Sequence, residues 1–202
     1  MRYEDIEHLD VGSWFDPRFS GERIPTLHAF AAAARGRIRI NVELKVSGHE
    51  VDLAHRVIAI LRELDMLDQV VLSSLDASIL SQVRQIDPTI RIGFIVAAGI
   101  GRLAAVDVDF FAISARLATP GLNRRLAASG RQVHVWGLSG EDSIVTAILD
   151  GADNVIVDDP RLAIEARRWV RQLTAPEQAL WRLRKALDRG ELMVRPMIRL
   201  LR

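Results

Sequence analysis

The chain contains no cysteine. Disulfide staples and thiolate metal sites are therefore excluded, and composition says nothing of the redox compartment. Aromatic residues make up only 5% of the chain, so Trp14, Phe15 and Trp136 stand out individually. No apolar run reaches the roughly 18 residues that a membrane-spanning helix requires. The opening residues, "MRYEDIEHLD", are charged and lack the apolar core of a secretory signal, which sets the expectation of a cytoplasmic or membrane-peripheral chain. Charge of one sign is missing too: 27 basic residues face 26 acidic ones. That balance hides an asymmetry. From Ala175 onward seven Arg or Lys stand against three Asp or Glu, which leaves the rest slightly acidic. A nucleic-acid partner has little support in such a distribution.

What is present is a repeated alternation. Short β-branched runs occur at "RIRINVELKV" (37–46), "QVVLSSL" (69–75), "IRIGFIV" (90–96), "DFFAIS" (109–114), "QVHVWGL" (132–138) and "NVIVDD" (154–159). Helical periods lie between several of them. In "EVDLAHRVIAILRELD", Val51, Ala54, Val57, Ile58, Leu61 and Leu64 recur at spacings of three and four. Two later periods are followed by Gly130 and Gly151, placed just past a helix end. A length of 202 residues is enough for one domain with a substantial core. Six strand-and-helix units predict a parallel sheet covered by helices.

An open doubly wound sheet and a (β/α)8 barrel both fit that alternation. Two features favour the barrel. No glycine-rich phosphate fingerprint follows the first strand. Polar residues also gather at the C-terminal strand ends, where a barrel builds its active face: Glu43 and Lys45, Ser73 and Ser74, Ser114, Trp136, Asp158 and Asp159. Glu43 and Lys45 fall two apart, on one face of a strand that is otherwise apolar. From the residues alone they are either a structural ion pair or a piece of chemistry. His134 reads as a packed core histidine, and His49 as a loop residue near the same strand end. Ser73 and Ser74 lack any His and Asp placed to activate them, and Asp158 reads as a cap of the last loop.

Several blocks together resemble the glycerophosphodiester phosphodiesterase family: "LDVGSWFDPRFSGERIPTL" (9–27), "INVELK" (40–45), "VVLSSL" (70–75), "VHVWGL" (133–138) and "GADNVIVDDP" (151–160). They follow the family's order and spacing. The resemblance implies a (β/α)8 TIM barrel in incomplete form, in which the six strands correspond to the family's third to eighth. It implies that residues 1–25 are the end of the family's inserted loop region, 26–172 a partial barrel and 173–202 a basic amphipathic C-terminal helix. It also implies that the chain is N-terminally truncated relative to the family. The His-Arg-Gly strand, two carboxylates, two histidines and an arginine of the usual site have no counterpart here.

Residue by residue, the resemblance makes Glu43 a metal-binding carboxylate and Lys45 the catalytic cation facing the phosphate. Trp136 becomes an aromatic lining the substrate pocket, and Trp14 and Phe15 a wall for the glycerol end. Leu75, Gly137 and Ser139 depart from residues usual in the family. The implied cofactor is a divalent cation, Mg2+ or Ca2+, at a site incomplete in this chain. The implied function is metal-assisted hydrolysis of glycerophosphodiesters to glycerol 3-phosphate and an alcohol, a step of lipid metabolism, with this chain alone inactive or impaired. The alternative is a non-catalytic barrel remnant that binds a partner protein or a membrane surface through residues 176–202. On that tail, Leu180, Trp181, Leu183, Leu187 and Met193 are expected along one side. An incomplete barrel also leaves strand edges free, so a homo-oligomer is expected through them.

Overall fold

A computed structural model of the protein describes residues 2–48, 52–97 and 103–188. They form six strands: β1 (Ile40–Glu43), β2 (Val70–Ser74), β3 (Arg91–Val96), β4 (Phe110–Ser114), β5 (Gln132–Trp136) and β6 (Asn154–Ile156). The helices are α1 (Leu27–Ala34), α2 (Leu53–Glu63), α3 (Ala77–Ile86), α4 (Pro120–Ala128), α5 (Gly140–Leu149), α6 (Pro160–Gln172) and α7 (Ala175–Asp188). Each strand matches one of the β-branched runs. Four pairings, β1–β2, β3–β4, β4–β5 and β5–β6, are parallel and join neighbours in sequence. Parallel neighbours require crossover connections, which the helices supply. The chain divides into two compact units, Met1–Ile92 and Gly93–Arg202, and the division falls inside β3.

In the first unit, Thr26 opens α1 by accepting the Ala29 N–H at its hydroxyl. The amphipathic stripe of α2 buries Ala54, Val57, Ile58 and Leu61, while α3 buries Ile79, Leu80 and Val83. Strand β1 alternates: Ile40 and, just past its end, Leu44 are buried, whereas Asn41 and Glu43 are exposed. Its apolar side faces core and its polar side stays open.

In the second unit every residue of β4 is buried, as a strand covered on both faces should be. The Phe110 ring lies over Gly93 of the paired strand, where any Cβ would clash with it. Helix α5 packs on α6 and α7 around Ile144, Val145, Leu149 and Ala166. Gly130 and Gly151 follow α4 and α5 at positive φ, as the sequence predicts for helix ends. Helix α6 follows the last strand and turns Ala163, Ala166 and Val170 inward. Asp159 caps it by accepting the Arg161 N–H at 2.9 Å, with Pro160 as its first residue. The cap is thus Asp159 rather than Asp158. No helix among the described residues is long and apolar enough to cross a membrane.

Candidate active-site residues

The C-terminal end of β1 is built by its neighbour. The register sets Ser73 beside Glu43, and the Ser73 hydroxyl donates to Asn41 Oδ1 at 3.0 Å. The Leu44 N–H donates to the Ser73 carbonyl at 2.7 Å, and the Ser74 hydroxyl donates to the Leu44 carbonyl at 2.7 Å. Leu44 is therefore held at both its backbone groups and by burial of its side chain. Glu43 and Lys45, one on each side of it, are both exposed. Among the described residues no ion pair joins the two. The structural-pair alternative is thus absent there. Ser73 and Ser74 are buried, and their hydroxyls donate to an amide oxygen and a backbone carbonyl, neither of which is a general base.

The aromatic candidates of the first unit sit on a loop organised by Asp10. Its carboxylate accepts the backbone N–H of Gly12, Ser13 and Gly21 at 2.9, 2.8 and 2.7 Å, and the Ser13 hydroxyl at 2.8 Å. These bonds, the Ser13 N–H foremost, hold the carboxyl well below the usual carboxylate range. Gly12 is required where the loop doubles back, because a Cβ there would run into Phe19. The outcome is a surface cluster: Trp14 is 81% and Phe15 71% exposed, with ring centroids 5.8 Å apart. Phe19 continues it, with Arg18 above its ring. The Trp14 indole N–H is spent on the Val11 carbonyl at 2.8 Å, so its ring faces, not its donor, remain for a partner. Asp10 escaped the motif reading, although an Asp two residues before Gly and three before Ser is a readable turn signal.

Trp136 belongs to the second unit, and the other four candidates belong to the first. It ends β5, half-buried, and its indole N–H donates to the Ala112 carbonyl of β4 at 3.1 Å. The ring is therefore fixed by its own sheet. His134, two residues earlier on the same face, is buried and stacked on Phe110 with centroids 4.2 Å apart. That is a core position, as its sequence setting suggests. His49 lies outside the described residues.

A hard divalent cation needs several oxygen ligands brought together. Among the described residues no group of three His, Cys, Asp or Glu side chains converges, at Glu43 or elsewhere. The residues described do not by themselves fit the cation, and Glu43 stands as one carboxylate.

A model of the glycerophosphoryl diester phosphodiesterase family matches residues 1–162. The chain belongs to that family. A curated glycerophosphodiester phosphodiesterase from Caldanaerobacter subterraneus subsp. tengcongensis is 27% identical over 175 residues, which span 82% of this chain and 70% of the relative. Among solved structures, a glycerophosphodiester phosphodiesterase from Agrobacterium tumefaciens is 25% identical, with a TM-score of 0.67 over 82% of this chain and 71% of that one. A phosphodiesterase from Oleispira antarctica, solved with its product sn-glycerol-3-phosphate, shares the fold at a TM-score of 0.71 and 23% identity, over 83% and 71% of the two chains. The family's TIM-barrel class is thus the class of this chain, carried here by six parallel strands with alternating helices.

Proposed function

We propose that the chain carries part of a glycerophosphodiester-hydrolysing site, whose reaction gives glycerol 3-phosphate and an alcohol. Lys45 presents its ammonium to the phosphoryl oxygens, where charge gathers as the ester breaks. Glu43 would supply one carboxylate to a Mg2+ or Ca2+ ion whose other ligands are not among the described residues. Trp14 and Phe15 offer ring faces to the glycerol end, and Trp136 offers another to the substrate. The observation that supports this reading best is the end of β1. Two opposite charges stand exposed, joined by no ion pair among the described residues, on a backbone clamped from β2. A surface that only needed solubility has no use for such fixation.

Since one carboxylate does not hold a hard cation, the proposal includes that this chain alone is inactive or impaired. The test is release of glycerol 3-phosphate from a glycerophosphodiester by the purified 202-residue chain, with Mg2+ or Ca2+ added. Expected is turnover far below the ~1–10³ s⁻¹ ordinary for enzymes. A rate within that range contradicts the impairment. The reading also carries self-association, because among the described residues β1 pairs only with β2 and β6 only with β5.

A further inference from the structure

Helix α7 is anchored through one side, where Trp181 and Lys185 are half-buried. The Trp181 indole donates to Thr146 Oγ1 at 3.2 Å and meets Trp169 edge-on, ring centroids 5.2 Å apart. The Arg182 guanidinium donates twice to the Leu149 carbonyl, at 2.7 and 3.2 Å, where α5 ends and its carbonyls need partners. Lys185 reaches Asp142 at 2.7 Å and lies over the Trp181 ring. With about 100° per residue, these three occupy one side of the helix. Leu180, Leu183 and Leu187 recur at i, i+3 and i+7 on the other side, and they are 64%, 50% and 50% exposed. The tail pattern sets Trp181 among the leucines; the structure instead turns it away from them, into the gap beside α5 and α6, and Met193 lies outside the described residues.

An ordinary surface helix buries its leucines and shows its basic residues. Here the basic and aromatic anchors fix the helix so that the leucines face outward. Charge identifies what covers them. Arg184 is exposed at the flank of the stripe, with Glu177 and Asp188 beyond it, so the basic excess belongs to the tail as a whole. From Ala175 to the end the sequence holds seven basic and three acidic residues, and beyond α7 it continues "RGELMVRPMIRLLR", apolar residues interleaved with arginine. A second copy would set one cationic tail against another, like charge facing like. A bilayer with anionic head groups offers the complement: negative charge at its surface and hydrocarbon beneath. We propose that the leucine face of α7 docks on an anionic lipid surface as an interfacial helix.

The test is flotation of the full 202-residue chain with phosphatidylcholine vesicles, with and without phosphatidylglycerol. Expected is binding to the anionic vesicles only, released by high salt and weakened about tenfold or more by the combined substitutions Leu180→Ser, Leu183→Ser and Leu187→Ser. Arg184→Glu weakens it as well. Because the three leucines are exposed, the substituted chain keeps its circular dichroism and melting temperature. Four results each overturn the proposal: no anionic-vesicle binding, equal binding to both vesicle types, binding unmoved by the leucine substitutions, or a dimer that those substitutions dissolve.

Discussion

The Ser74 hydroxyl donates to the Leu44 carbonyl at 2.7 Å, between the two charges that end β1. The same oxygen accepts the Asp76 N–H at 3.0 Å, so one buried hydroxyl ties the strand end to the turn before α3. Ser74→Ala leaves a carbonyl at a buried residue and an N–H without their partner. Expected is a loss of about 1–3 kcal/mol in urea unfolding at unchanged m-value. A variant as stable as the parent means that solvent substitutes for the hydroxyl, and the clamp on β1 is not real.

Gly93 offers a second stability test. A methyl group there meets the Phe110 ring, which is itself stacked on His134. Gly93→Ala is expected to cost about 1–3 kcal/mol through overpacking. Gly121→Ala is the control: nothing lies near a Cβ at that position of α4, and the expected change is neutral to about 1 kcal/mol stabilising. Equal effects at the two positions contradict the close approach.

Acid tests the Asp10 network. The folded carboxyl titrates below its unfolded value of about 3.9, so its contribution is complete above that value and is lost only as pH falls through the lower, folded one. The amide resonances of Ser13 and Gly21 should therefore stay flat from pH 8 to about pH 4. They should move only in stronger acid, and Asp10→Ala should collapse both shifts at every pH. A transition near pH 6 means that another group controls the loop.

Strand positions were legible in the sequence because each β-branched run is bounded by turn or charge signals. The ends were less so. The run through Val46 looks continuous, yet β1 stops at Glu43, where pairing with β2 ends. Helix α6 carries a sparse stripe, Ala163, Ala166, Val170 and Leu173 at spacings of three and four, of which only Ala166 becomes fully buried. The Asp-Pro pair before it was the readable signal. For Glu43 and Lys45 the sequence supplied the residues and the family supplied their roles, but spacing alone left the ion pair open. The side that α7 turns inward was not legible. Its Trp181, Arg182 and Lys185 are recruited by Thr146, Leu149 and Asp142, partners more than thirty residues away in sequence.

Association through the strand edges is checked by light scattering across a concentration series. Expected is a mass that rises above one chain and does not change when the three exposed leucines of α7 become serine. A strictly monomeric chain with one cooperative unfolding transition contradicts it.

The most direct measurement is an NMR titration of the chain with sn-glycerol 3-phosphate, comparing the parent with Lys45→Ala and Glu43→Gln. Expected is saturable binding that shifts the amides around Leu44. Lys45→Ala should weaken it about tenfold, the loss of one charge-assisted phosphate contact. Glu43→Gln removes a like charge from beside the phosphate and should leave the affinity unchanged or slightly raised. Binding of equal strength in all three chains, or shifts elsewhere than the end of β1, would contradict the assignment of that strand end to the phosphodiester site.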